Sequence, residues 1–134
     1  MKQLKFGIVG YGKMGKIREM SILESNDAEL ISIYDITNPK HHNNGIIFCD
    51  TYEELLKTDI DSLIVSSYVS VAAEYVIRAL NAGKHVFCEK PPSMTSKEML
   101  EVIEVEKRTG KVLKYGFNHR FHYSVMEAKK IINK

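Results

Sequence analysis

The sequence lacks long apolar segments and any sign of an export signal. No apolar run approaches the roughly 20 residues that a membrane-spanning helix needs, so we expect no membrane partner. Glycines and Lys13 interrupt the apolar stretch that begins at Leu4 before a secretory core could form, and no small-residue cleavage site follows. These absences predict a cytoplasmic protein.

The sequence also lacks any concentration of charge of one sign. It has 19 lysine and arginine residues against 17 aspartate and glutamate residues, a formal net charge of +2, with no block of five like charges. Nucleic-acid-binding domains usually show a basic stripe interleaved with aromatic residues, and none is present here. We therefore expect an ordinary solvated surface and no nucleic-acid partner.

Candidate metal ligands are few. Cys49 and Cys88 are the only cysteines and lie far apart in the sequence, which favours two buried thiols over a disulfide or a metal pair. His41 and His42 are adjacent on a polar loop, where two histidines rarely converge on one ion without further ligands. We predict a solvated loop there and no metal site.

What the sequence does contain is a regular alternation of apolar, β-branched runs with segments of helical periodicity. Such alternation predicts right-handed crossovers and a single α/β domain, built on a doubly wound parallel sheet of strand order 3-2-1-4-5-6. The predicted strands are 4–9, 30–34, 46–48, 61–66, 85–88 and 112–117. The predicted helices are 14–23, 71–80 and 125–132, with two more that begin after Thr51 and Thr95.

The first predicted helix carries apolar residues at intervals of three: Met14, Ile17, Met20 and Leu23. We predict that they form its buried face, with the two methionines filling the core.

A glycine-rich turn, Gly10-x-Gly12-x-x-Gly15, joins the first strand to the first helix. Gly10 permits a tight turn, Gly12 lets the backbone approach a pyrophosphate, and Gly15 allows close packing of helix and strand. The helix N-terminus adds free N–H groups and partial positive charge. We therefore predict a dinucleotide-binding turn that includes the intervening residues Tyr11, Lys13 and Met14.

Asp35 ends the second predicted strand, twenty residues beyond Gly15. Its carboxylate would accept hydrogen bonds from ribose hydroxyls and repel a 2′-phosphate, which favours NAD over NADP. Lys40 or its loop could still reach a phosphate, so NADP stays open. Two alternatives also stay open: a tight turn without a cofactor, and an S-adenosylmethionine-dependent transferase, which uses a similar turn.

Two further segments follow strand ends, Glu89-Lys90-Pro91 and Tyr115-Gly116-Phe117-Asn118-His119-Arg120-Phe121-His122. Together with the glycine turn they resemble the Gfo/Idh/MocA oxidoreductase family over essentially the whole chain. The resemblance implies hydride transfer between NAD(P) and a hydroxyl group of a sugar, nucleotide sugar or cyclitol.

The resemblance also implies roles for single residues. Lys90 would be the catalytic lysine, because a cation near the reacting oxygen stabilises a developing alkoxide. Glu89 would help to hold the nicotinamide ribose, and Asn118 and Arg120 would lie near the nicotinamide and the substrate. Pro91 is predicted to follow a cis peptide bond that aims Lys90. For His119 and His122 we favour surface or capping roles over the alternative that one of them reaches the site.

The sequence departs from the family pattern in two places. Ser66, Ser67 and Tyr68 stand where the family usually has a Thr-Pro turn, and Ala72 stands where it has a histidine. We still expect this loop to contact the nicotinamide or ribose.

The second departure is length, since family enzymes continue into a second α/β domain that carries the substrate pocket. We expect residues 1–134 to be the coenzyme domain only, to bind dinucleotide, and to turn over substrate slowly or not at all. The alternative is a non-catalytic dinucleotide-binding or sensing module. A homo-oligomer is a further expectation, and the substrate is not named by these residues.

Overall fold

The computed structural model describes residues 3–37 and 45–133. The predictions for Lys40, His41 and His42 lie outside the described residues.

Six parallel strands form one sheet in the order β3-β2-β1-β4-β5-β6, which confirms the predicted topology. β2 and β4 flank β1, so the direction of winding reverses between β1 and β4. In sheets of this kind, ligands bind at the carboxyl ends of the strands at that reversal. The strands are β1 (Leu4–Val9), β2 (Ala28–Tyr34), β3 (Ile47–Cys49), β4 (Ser62–Val65), β5 (His85–Cys88) and β6 (Leu113–Tyr115).

The helices begin and end close to the predicted residues. Thr95 and Glu98 form a reciprocal capping box, and Gly110, at a φ of 64°, ends the same helix. Among the described residues, no helix has both the length and the apolar character needed to cross a bilayer. The helices are α1 (Lys13–Leu23), α2 (Tyr52–Lys57), α3 (Val69–Asn81), α4 (Ser96–Thr109) and α5 (Tyr123–Ile132), with a 3₁₀ turn at Asn118–Phe121.

The core has two parts, one on each face of the sheet. On one face, α2, α3 and α4 cover the strands and bury side chains such as Leu55, Val76 and Val102 completely. On the other face, α1 packs on β1, β2 and β4. The thiols of Cys49 and Cys88 are free and buried, as predicted.

The predicted buried face of α1 is wrong. Met14, Ile17, Met20 and Leu23 are all exposed, by 36% to 62%, whereas Gly15, Glu19 and Ile22 face the sheet. The reason is geometric: three residues fall about 60° short of a full helical turn, so residues spaced by three wind around the helix. Two contacts fix its rotation, the close packing of Gly15 and a hydrogen bond from the buried Tyr11 hydroxyl to Glu19.

Two strand boundaries also differ from prediction. β2 begins at Ala28 rather than residue 30, because Ala28 and Glu29 continue the pairing with β1. β6 ends at Tyr115 rather than residue 117. There the amides of Phe117 and Asn118 donate to carbonyls two residues earlier and turn the chain away from the sheet. The consequence is that residues 118–121 lie at the carboxyl edge of the sheet.

Candidate coenzyme site

The glycine turn is tied to the strands on both sides of it. Gly10 donates its amide to the Tyr34 carbonyl of β2 (2.9 Å), and the Ser66 hydroxyl donates to the Gly10 carbonyl (2.6 Å). Gly10 has a φ of +86°, and a Cβ there would lie 2.6 Å from the backbone of Ser66. Both observations agree with the tight turn predicted at this position, because a side chain fits neither the conformation nor the space.

The N-terminus of α1 is open towards solvent. No side chain caps it, and its first turn contains no acidic residue. A Cβ built on Gly12 meets nothing within 4 Å, whereas one on Gly15 would lie 2.3 Å from the Gly10 carbonyl oxygen. Gly15 thus lets the helix approach the turn, and Gly12 leaves space above it. Uncapped amides with this partial positive charge suit an anion such as a diphosphate.

Asp35 lies beside the turn and already accepts three hydrogen bonds. One carboxylate oxygen binds the backbone amide of Tyr11 at 2.6 Å, and the other binds the amide (2.8 Å) and hydroxyl (2.6 Å) of Thr37. Desolvation is the largest single effect and opposes ionisation, yet the hydrogen bonds together outweigh it and hold the pKa of Asp35 below its ordinary value. Asp35 is therefore a fixed anion at the end of β2.

A cleft of about 520 Å³ connects Asp35, the turn and the β4–α3 loop. This volume is within the range of small-molecule sites. Most of the predicted cofactor residues line it: Gly10, Gly12, Lys13, Met14, Asp35, Ser66, Ser67 and Tyr68.

Two residues predicted for the glycine turn do not line this cleft, and several lining residues were not predicted. The Tyr11 side chain is buried against Glu19, so only its amide faces Asp35, and Gly15 is buried beneath the turn. The lining residues that were not predicted are Val9, Tyr34, Ile36, Thr37, Ser70, Val71 and Tyr75. Ile36 alone had a sequence signal, as an apolar residue directly after a strand end.

A second cleft, of about 830 Å³, lies at the carboxyl ends of β5 and β6. Met14 lines both clefts, so they adjoin at the N-terminus of α1. The residues predicted for the nicotinamide end meet here: Glu89, Lys90, Asn118 and Arg120, with His119 and His122 beside them. The two histidine rings stack at 4.7 Å between centroids and are exposed. Among the described residues, no cluster of three histidine, cysteine or acidic side chains could hold a metal.

Lys90 is the second residue after β5, and its side chain is exposed in the second cleft. The Lys90–Pro91 peptide bond is cis, as predicted. The preceding amide, that of Glu89, donates to the Val65 carbonyl at 2.8 Å, which fixes the exit of β5 against β4.

Arg18 is a residue of this region that sequence reasoning missed. Its guanidinium donates through Nε (2.7 Å) and through Nη2 to one carboxylate oxygen of Glu89, and lies over the Phe87 ring, 4.8 Å from its centroid. The other carboxylate oxygen of Glu89 lies against Gly116. The two charged partners are 71 residues apart in the sequence, so no local spacing marks the pair.

A doubly wound parallel sheet, a glycine turn at its winding reversal and a fixed carboxylate at the end of β2 define a dinucleotide-binding Rossmann domain. Residues 4–117 match the model of the Gfo/Idh/MocA oxidoreductases, described as an oxidoreductase family with an NAD-binding Rossmann fold. The chain belongs to this family, as the motifs predicted.

Individual relatives agree with this membership. The chain is 31% identical to the D-glucoside 3-dehydrogenase of Escherichia coli, over 94% of this chain and 38% of that protein. It is 29% identical to a myo-inositol 2-dehydrogenase of Thermotoga maritima, over 96% of this chain and 40% of that protein. The structure of scyllo-inositol dehydrogenase from Lactobacillus casei with NAD(H) and scyllo-inositol superimposes with a TM-score of 0.86, at 28% identity, over 98% of this chain and 41% of that one. The chain thus spans about two fifths of the length of these relatives.

Proposed function

We propose that this chain binds NAD across the two adjoining clefts and serves an oxidoreductase that transfers hydride between the nicotinamide and a sugar, nucleotide-sugar or cyclitol hydroxyl. One observation carries the proposal: the uncapped N-terminus of α1 opens beside Gly12, with the Asp35 carboxylate across the same cleft. An anion-binding helix end and a ribose-binding carboxylate are the two parts that a dinucleotide requires.

The residues of the first cleft fit the adenosine and diphosphate half of the coenzyme. Gly12 leaves the space that a diphosphate needs, and Asp35 is a hydrogen-bond acceptor for ribose hydroxyls. Ser67 and Tyr68, from the β4–α3 loop, also line this cleft. When bound, NAD supplies the hydride acceptor or donor; the chain binds it, orients it and excludes water.

In the second cleft we propose Lys90 as the catalytic residue. Its ammonium group is exposed there, and no described residue forms an ion pair with it. A lysine in this position stabilises negative charge on a substrate oxygen as its hydroxyl proton leaves. Asn118 and Arg120 supply further donors at the rim of the cleft, beside the substrate.

We further propose a preference for NAD over NADP. Asp35 is held as an anion by Tyr11 and Thr37, and a 2′-phosphate placed beside it would be repelled. Calorimetric titration of the chain with NADH and with NADPH tests this. We expect measurable binding of NADH and weaker binding of NADPH. Equal binding of both would contradict the coenzyme preference, and binding of neither would contradict the proposed function.

The chain spans about two fifths of the length of its relatives, and what the rest of the protein contributes is part of this proposal. We propose that substrate groups come from a second domain, and that the chain alone turns over polyols slowly or not at all. The exposed apolar side chains of α1 and α5, such as Met20, Leu23 and Ile131, support a covered surface rather than an independent sensing module. Rapid oxidation of inositols or glucosides by the purified chain would contradict this.

A further inference from the structure

The Arg18–Glu89 pair connects the two halves of the candidate site. Arg18 lies one turn beyond Gly15, on the helix whose N-terminus faces the first cleft. Glu89 lines the second cleft and immediately precedes Lys90. The pair therefore joins the diphosphate side of the site to the nicotinamide side through one ion pair.

The surroundings of this pair make it strong. The side chains are 19% and 10% exposed, and two nitrogens of the guanidinium donate to the same carboxylate oxygen. Charge-assisted hydrogen bonds of this kind are stronger than neutral ones, and a buried charge left without its partner is strongly destabilising. The Phe87 ring supports the guanidinium from one side, which further restricts its position.

The orientation of Glu89 has a consequence for its neighbour. The Glu89 carboxylate contacts Arg18 and Gly116. It forms no ion pair with Lys90, although Lys90 is the next residue along the chain. If Arg18 were neutral, the cations that line the same cleft as Glu89 would be Lys90 and Arg120. The carboxylate would then turn into the space proposed for the nicotinamide.

We propose that Arg18 is a positioning residue: it holds the Glu89 carboxylate against Gly116 at the wall of the second cleft, away from Lys90, and so keeps Lys90 unpaired and the nicotinamide position open. This inference rests on the proposed NAD-binding function. It concerns only the nicotinamide half, because the first cleft contains neither Arg18 nor Glu89.

The experiment compares two ligands that differ in the nicotinamide. Affinities of NADH and ADP-ribose are measured by calorimetry for wild type, Arg18→Met, Arg18→Lys and the double variant Arg18→Met/Glu89→Gln. Lys16→Met is the matched control, because it removes an exposed cation from the same helix. Thermal melts establish that each variant is folded.

We expect Arg18→Met to weaken NADH binding by about tenfold relative to ADP-ribose, as for the loss of a hydrogen bond to a charged group. Arg18→Lys should weaken NADH binding by a smaller factor, and Lys16→Met should leave the ratio of NADH affinity to ADP-ribose affinity unchanged. The double variant should recover the ratio, since a neutral amide has no charge to pair with Lys90.

A crystal structure of Arg18→Met without ligand gives an independent readout, in which we expect the Glu89 carboxylate to contact Lys90. An unchanged affinity ratio in a folded Arg18→Met, or no recovery in the double variant, overturns the inference. If Arg18→Met does not fold, Arg18→Lys and the double variant decide by the same ratio. Failure of wild type to bind either ligand refutes the proposed function, which is a different result.

Discussion

Replacing Gly12 by alanine should weaken coenzyme binding without harming the fold. The backbone of Gly12 has a φ of −75°, which alanine adopts freely, and the added Cβ meets nothing within 4 Å. Loss of glycine also restricts the unfolded chain, which typically stabilises a protein by about 0.4–1 kcal/mol. We therefore expect a free energy of unfolding equal to that of wild type or slightly higher.

The binding of coenzyme should respond in the opposite direction. The methyl group projects into the space where we propose that the diphosphate lies against the N-terminus of α1. Displacing the diphosphate from the uncapped amides should weaken NADH binding by at least about tenfold, or ~1.4 kcal/mol. Calorimetry measures the affinity, and urea unfolding measures the stability of the same preparation.

Gly15→Ala is the matched control, because it adds the same methyl group three residues away. Its Cβ would lie 2.3 Å from the Gly10 carbonyl oxygen. Because that oxygen belongs to the backbone, no side-chain rotation can relieve the clash. Overpacking of this kind costs about 1–3 kcal/mol, against about 1 kcal/mol gained in helix propensity. We expect a net loss of stability, which Gly12→Ala does not show.

The reasoning fails if Gly12→Ala binds NADH as well as wild type does, since the open space would then not be the diphosphate position. It also fails if both variants lose stability equally. In that case the effect on binding would follow from damage to the fold.

Three further predictions concern the core, the thiols and the acid limb of stability. Ile22→Ala should lower the free energy of unfolding, measured by urea titration, by about 2–5 kcal/mol. Met20→Ala, at an exposed position, should change it by less than about 0.5 kcal/mol. Equal losses in the two variants would indicate that Met20 is buried after all. Burial raises the pKa of the Cys88 thiol to about 12 and also raises the pKa of the Cys49 thiol. Ellman's reagent should therefore label neither cysteine until the chain is unfolded. Rapid labelling of the native chain would contradict their burial. Because the pKa of Asp35 is lower in the folded chain than its ordinary 3.8, its contribution to stability is present above pH 3.8 and is lost as the pH falls through the folded value. The stability difference between wild type and Asp35→Asn should therefore narrow in that acid range, and a constant difference would show that its ionisation is not linked to folding.

The topology was predictable because its signals are local. β-Branched runs, capping residues such as Thr95 and the glycine turn each act within a few residues of sequence. Their order along the chain then fixed the strand order, since parallel crossovers are almost always right-handed.

The rotation of α1 was not predictable from spacing alone. It depends on Gly15 approaching the turn and on Glu19 reaching the Tyr11 hydroxyl, which are tertiary contacts. The spacing of apolar residues predicted that Met14 and Met20 face the core and that Glu19 does not. The end of β6 was mispredicted for a related reason. The turn at Phe117 is formed by backbone hydrogen bonds, which the residue types in the sequence do not indicate.

The positions of the candidate site residues were predictable where motifs follow strand ends, and not where contacts are long-range. Asp35 and Lys90 lie at the carboxyl edge as expected, because they stand one and two residues after the apolar runs of β2 and β5. Arg18 was missed because its partner, Glu89, belongs to another strand exit.

The hydrogen bond from the Tyr11 amide to Asp35 constrains how this scaffold can change its coenzyme during evolution. The carboxylate that would discriminate against a 2′-phosphate is also the acceptor that secures the glycine turn. A single mutation that admits NADP by replacing Asp35 with a residue that has no acceptor oxygen therefore also takes the acceptor from the Tyr11 amide. A lineage that switches coenzyme must acquire a replacement acceptor for Tyr11 before, or together with, the change at position 35.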